Sequence, residues 1–151
     1  MYAVRQWSVR HARGLNAFYR LFERLIVPMH RLFRFLGYQR IEKPVARVER
    51  TIKGFMFDCR MCGQCVLSST GMSCPMNRPK TLRNGPCGGV RANGNCEVRP
   101  EMKCVWVEAW RGSQRIPEGV AALETVQFAV DHRLQGHSSW LRVVRQKSGE
   151  A

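Results

Sequence analysis

At 151 residues the chain has the length of one ordinary domain and falls well short of the about 250 residues that a (β/α)8 barrel takes. Its formal net charge of +14 favours acidic partners: nucleic acid, an anionic membrane surface, an acidic protein or an anionic substrate. No stretch approaches the roughly 20 consecutive apolar residues of a membrane span, and no signal-peptide core is visible, so the expected location is the reducing cytoplasm, where structural disulfides are rare.

Taken in chain order, residues 1–40 predict helix. Leu15, Phe18, Phe22, Leu25, Met29, Leu32 and Leu36 recur at three- and four-residue steps and draw one apolar stripe, with Arg13, Arg20, Arg24, Arg31 and Arg34 largely off it. Such a stripe is more often a packing face than a membrane-surface helix or a transit peptide. Pro28 should divide the helix, since it lacks an N–H and crowds the preceding turn, and Gly37 should stop it. A second helix is expected over Val45 to Phe57. Together, residues 1–57 make a basic amphipathic helical segment.

Residues 58–110 form a cysteine-rich region. Asn84-Gly85, Gly88-Gly89 and Asn93-Gly94 are turn signals. The stretch from Cys59 to Cys104 is poor in Ile, Leu and Phe, so it needs cross-links or metal to hold its shape. Val105 to Trp110 reads as a strand or the first turn of a helix. Residues 111–151 form a C-terminal helical tail. Pro117 opens a pattern with Val120, Leu123, Phe128, Val130 and Leu134 on its buried side and Gly136 as its stop. Ser138 or Ser139 caps a last helix carrying Trp140, Leu141 and Val144, and residues 146–151 should fray. The expected fold class is therefore mainly α with irregular, metal-stabilised loops.

The chemistry lies in seven cysteines: Cys59, Cys62, Cys65, Cys74, Cys87, Cys96 and Cys104. An odd number fits a closed disulfide framework poorly. The first three form C-x2-C-x2-C, a spacing that curls successive thiolates around one small object, and bacterial ferredoxins use it for three of the four ligands of a [4Fe–4S] cluster. Cys74 is followed by Pro75, as the next ferredoxin cysteine is, but after eight residues instead of three, so Cys74 either completes the first site or belongs to a second. Cys87, Cys96 and Cys104 converge only if the glycine-rich chain between them folds back. Zinc is the competing reading. Its sites usually pair two C-x2-C knuckles or a knuckle with histidines, and all four histidines lie outside the cysteine region. Arg78, Lys80 and Arg83 read first as a solvated face and second as charge compensation for a thiolate-ligated cluster. Trp106 and Trp110 read as core residues over the loops. No catalytic set of side chains and no named nucleic-acid motif is present, which disfavours nucleic acid as the partner.

The segments CRMCGQCVLSSTGMSCP, LRNGPCGGVRANGNCEVRPEMKCVW and VDHRLQGHSSWLRV resemble the methylenetetrahydrofolate reductase C-terminal domain family, and through it the small iron–sulfur subunit of the acetogen-type enzyme. The resemblance spans roughly residues 45–145. It implies a non-catalytic subunit that binds one or two [4Fe–4S] clusters and passes electrons between a redox donor protein and a flavin-bearing barrel subunit, which reduces 5,10-methylenetetrahydrofolate to 5-methyltetrahydrofolate. Cys59, Cys62, Cys65 and Cys74 would hold the first cluster, and Cys87, Cys96 and Cys104 would belong to a second metal site. Arg78 stands where the family pattern is expected to carry an eighth cysteine, which puts the second cluster in doubt. The alternative is a zinc-stabilised structural or docking module of the same complex, or, further off, a basic nucleic-acid-binding zinc protein.

Overall fold

The computed structural model describes residues 2–149. It is mainly helical, and among the described residues the β pairing consists of two isolated bridges. Helices α1 (Tyr2–Arg10), α2 (Ala12–Ile26), α3 (His30–Leu36) and α4 (Tyr38–Phe57) precede the cysteine region, and α5 (Val105–Ser113), α6 (Gly119–Glu124) and α7 (Ser139–Lys147) follow it. No helix among them is long and apolar enough to cross a membrane.

Pro28 lies in a 3-10 turn, Val27–Met29, that separates α2 from α3, and Gly37, at φ +81°, ends α3. Both breaks match the expectation. Helix α4 does not: it begins at Tyr38 rather than Val45 and runs straight through Pro44. Contacts with α1, α3 and α7 hold it, so the single ladder bond that proline cannot donate is outweighed by packing.

The C-terminal pattern also differs. Helix α6 stops at Glu124, and Phe128, expected on a buried face, is 88% exposed. Thr125, Val126 and Val130 are β-branched and poor helix formers, and Thr125 is already extended. Only a 3-10 turn, His132–Leu134, forms before Gly136. Ser138 caps α7 as expected, accepting from the Leu141 N–H. Residues 146 and 147, expected to fray, belong to α7, and residues 150 and 151 of that expectation lie outside the described residues.

The main core gathers Ala12, Phe57, Leu67, Met72 and Ile116, with Leu15, Met56, Cys65 and Cys74 packed against it. A smaller one joins Cys96, Met102 and Val105. Helix α1 is tied in by Ser8 Oγ, which donates to the Met56 carbonyl at 3.0 Å. Most of the apolar stripe is not in either core. Phe18, Leu25, Met29, Leu32 and Leu36 are exposed, and Leu15 and Phe22 are half-buried. The exposed part of the stripe is available for a partner, whereas Leu15 packs against the main core and the Phe22 ring sits 5.0 Å from that of Trp140.

Candidate metal centre

The end of α4 aims the chain at the first cysteines. Asp58 closes the helix in the left-handed conformation (φ +52°), its N–H bonding the Gly54 carbonyl, and the Cys59 N–H returns to the Lys53 carbonyl at 3.3 Å. The loop stays curled because Met61 and Gly63 also take positive φ, +50° and +69°. At Gly63 only glycine fits, since a Cβ there would strike the Leu134 carbonyl. Residues 131–136 clasp this loop from outside: Asp131 N–H donates to Gln64 Oε1 at 2.9 Å, Gln135 Nε2 to the Arg60 carbonyl at 2.7 Å, and Gly136 N–H to the Met61 carbonyl at 2.8 Å.

Cys74 is brought to the same place by a second set of anchors. Asn77 Nδ2 donates to the Phe57 carbonyl at 2.5 Å, and Ser73 Oγ to the Val105 carbonyl at 3.0 Å. Gly71, at φ +56°, lies against the backbone of α5, where a Cβ would overlap Ser113 N. The result is one small cavity, about 20 Å3, lined by Cys59, Cys62, Cys65 and Cys74 together. This resolves the position of Cys74, which sits with the first three cysteines.

Backbone N–H groups and buried charged side chains meet the thiols at this cavity. One backbone N–H points at sulfur: Met61 N lies 3.3 Å from Cys59 Sγ. Burial, and after it the neighbouring thiols, pushes the Cys59 thiol up to about 11 and raises Cys74 further, so these two thiols resist ionisation in the folded chain. Three buried charged groups line the same cavity: Lys53, Arg83 and the Glu49 carboxylate, which pairs with Lys53. Lys53 is 4% exposed and Arg83 5% exposed. Burial works against the Lys53 charge, yet Cys65 and Glu49 outweigh it and hold Lys53 above its ordinary range. Arg83 interacts with Cys62, Cys65 and Cys74, and its Nε and Nη1 are buried without a hydrogen-bond partner. Among the described residues no three His, Cys, Asp or Glu side chains stand ready-made around a single ion.

Lys53 is fixed by a network that sequence reasoning missed. Its Nζ donates to Glu49 Oε1 at 2.7 Å and to Ser139 Oγ at 2.8 Å, and lies 5.2 Å from the Trp140 ring centre. Glu49, 1% exposed, also accepts from Ser138 Oγ at 2.6 Å and Ser139 Oγ at 2.5 Å. The signal was present as a Glu–Lys pair four residues apart on the helix that leads into the cysteines. Lys53 and Cys65 also border an apolar cavity of about 420 Å3 between α2 and α4, walled by Leu15, Phe18, Phe22, Met56 and Trp140.

The remaining cysteines form a separate group. The chain folds back through bridges pairing Val90 with Cys96 and Asn95 with Lys103, and the Cys96 N–H bonds the Met102 carbonyl at 2.8 Å. Burial works against the Arg78 charge, and Cys87, Cys104 and Cys96 support it. The solvated-face reading of the three basic residues therefore holds for Lys80 alone, which is exposed and paired with Glu97, while Arg78 and Arg83 are each 5% exposed. They are buried because the glycine-rich loops wrap over them and the thiols give them electrostatic partners. Trp106 is half-buried against Arg78, and Trp110, expected in the core, is exposed.

A family model described as methylene-tetrahydrofolate reductase C terminal matches residues 38–133, more than half of the chain. The match takes in α4, all seven cysteines, α5 and α6 and ends before α7, so it includes only the first four residues, Val130 to Arg133, of the tail segment that carried part of the resemblance. No curated protein and no solved structure matches the chain.

Proposed function

The chain belongs to the methylene-tetrahydrofolate reductase C-terminal family, and from that premise we propose that it is a cytoplasmic iron–sulfur accessory subunit of such a reductase. In this reading Cys59, Cys62, Cys65 and Cys74 hold one [4Fe–4S] cluster, and the catalytic partner is a flavin-bearing barrel that interconverts 5,10-methylene- and 5-methyltetrahydrofolate. The carrying observation is that four thiols line one cavity with the sulfur-directed Met61 N–H, the buried Lys53–Glu49 pair and the buried Arg83. One-electron exchange is the chemistry such a cluster supplies when bound.

The chain's own residues do the rest. The positive-φ turns at Met61 and Gly63 orient three thiolates inward. The 131–136 clasp and the Phe57–Leu67–Met72 core keep water off them. Lys53 and Arg83 offset ligand charge, which favours the reduced state, and the Met61 N–H···S bond acts in the same direction. The exposed stripe of α2 and α3, flanked by arginines, is the docking face for the barrel subunit.

Anaerobic purification followed by iron, sulfide and zinc counts tests this directly. About four irons and four sulfides per chain are expected, with most of both lost in Cys62→Ser. One zinc per chain with no sulfide, or full retention of iron in Cys62→Ser, would refute the electron-transfer role, and zinc would assign the four thiols to a structural module.

A further inference from the structure

The apolar cavity between α2 and α4 has no part in holding the four thiols, yet it is built like a ligand site. Its volume of about 420 Å3 falls within the about 300–1,000 Å3 that small-molecule sites occupy. The inner end is made of Phe57, Leu67, Met72 and Lys53, each 8% exposed or less. The mouth is made of Phe18 and Ile52, 69% and 47% exposed. Phe18, Phe22 and Trp140 give it aromatic walls, with the Phe22 and Trp140 rings 5.0 Å apart.

Two of the lining side chains carry donors in an otherwise apolar surround. The Trp140 Nε1–H is buried with no acceptor among the described residues, and an indole can only donate. The Lys53 ammonium has three protons, two of which go to Glu49 and Ser139. Its charge is already offset by Glu49 at 2.7 Å, so a carboxylate brought to it would add a second negative charge beside a buried one.

We propose that this cavity is a binding site for a flat, uncharged aromatic molecule that carries a hydrogen-bond acceptor. The aromatic walls select a flat ring, which stacks or meets them edge to face. The Lys53–Glu49 pair selects against net charge, and the donors select an acceptor, since a buried donor left unmet is costly. Cys65 lines both this cavity and the four-thiol cavity, so the ligand would border one of the four thiols. The inference is independent of which metal those thiols hold.

Isothermal titration calorimetry on the full chain, purified anaerobically and without any partner, tests it. The probe is 2-acetylnaphthalene, a neutral two-ring ketone, and the comparison is 2-naphthoate, which has the same rings and a negative charge. One-to-one binding of the ketone with a Kd of about 0.1–1 mM is expected for a ligand of about 13 non-hydrogen atoms. The carboxylate is expected to bind at least about fivefold more weakly. Trp140→Phe keeps a ring and deletes the N–H, and should weaken the ketone about fivefold. Ile52→Trp fills the mouth and should abolish saturable binding. If Ile52→Trp fails to fold, Phe18→Asp, at a position more exposed still, carries the same reading, and about tenfold weaker binding is expected because the ketone must pass a charged mouth. Absence of saturable heat in wild type up to the solubility of the ketone would overturn the proposal. So would wild-type affinity in a folded Ile52→Trp or in Phe18→Asp, which would put the ligand elsewhere, unchanged affinity in Trp140→Phe, or tighter binding of the carboxylate than of the ketone.

Discussion

Replacing Lys53 with methionine keeps the length and apolar stem of the side chain and deletes its charge. Glu49 would then keep its two serine donors, at 2.6 and 2.5 Å, but lose the ammonium at 2.7 Å while remaining 1% exposed. Breaking a buried pair from one side costs about 3–5 kcal/mol, because the surviving charge is left uncompensated. The retained Ser138 and Ser139 hydroxyls place this case at the lower end, about 3 kcal/mol. For a domain of this size that corresponds to a fall in Tm of about 6–12 °C. Glu49→Gln combined with Lys53→Met removes both charges and should recover most of the loss. The assay is urea unfolding of the anaerobic, metal-loaded proteins by tryptophan fluorescence, with Trp140 lying 5.2 Å from the ammonium as the local reporter. A Lys53→Met protein within about 0.5 kcal/mol of wild type, or a double variant no better than the single, would refute the reasoning. Because Lys53 also faces Cys65, the single variant should in addition have a lower reduction potential in a redox titration, which a purely structural role would not produce.

Gly71→Ala drives a methyl into the backbone of α5 and forces φ +56° on a residue with a Cβ, so it should cost several kcal/mol and lower metal retention through Cys74, measured by metal content after desalting. Loading of the metal-free protein should tighten as pH rises from about 6 to 9: the bound form needs thiolates, whereas burial raises Cys59 to about 11 and Cys74 further, so protons must leave on loading. Affinity that is flat over that range in a chelator-competition titration would contradict this. Aspartate at Phe18 and Leu25 should leave Tm within about 1–2 °C of wild type, since both are exposed, yet weaken co-purification with the flavoprotein.

The helices were legible because their signals are local: a periodic stripe, Pro28, Gly37 and a serine cap. The grouping of cysteines was only half legible. Three-residue spacing unites Cys59, Cys62 and Cys65, but the assignment of Cys74 depends on Asn77 and Gly71, whose partners lie on α4 and α5. The burial of Arg78 and Arg83 was hidden for the same reason. A basic residue in a glycine-rich loop looks solvated until the folded loops cover it, as they do both Arg78 and Arg83 at 5% exposure. Helix α4 was read as too short because proline is a strong local veto that tertiary packing overrode, and the tail was read as too helical because its apolar spacing masked β-branched residues.

The clasp over the cysteine loop also bears on biosynthesis. Asp131 and Gln135 reach Gln64 and Arg60 across separations of 67 and 75 residues, so the ribosome delivers the loop well before the strap that seals it. At about 5–20 residues per second the interval is about 4–15 seconds. During that interval the C-x2-C-x2-C segment is translated and uncovered, and Lys53 has yet to meet Ser139. Under the proposed function, metal offered to the nascent chain would meet an open loop, whereas in the folded protein three hydrogen bonds hold residues 131–136 over it. Moving residues 131–149 to the front of the gene by circular permutation would abolish that head start without changing the folded contacts.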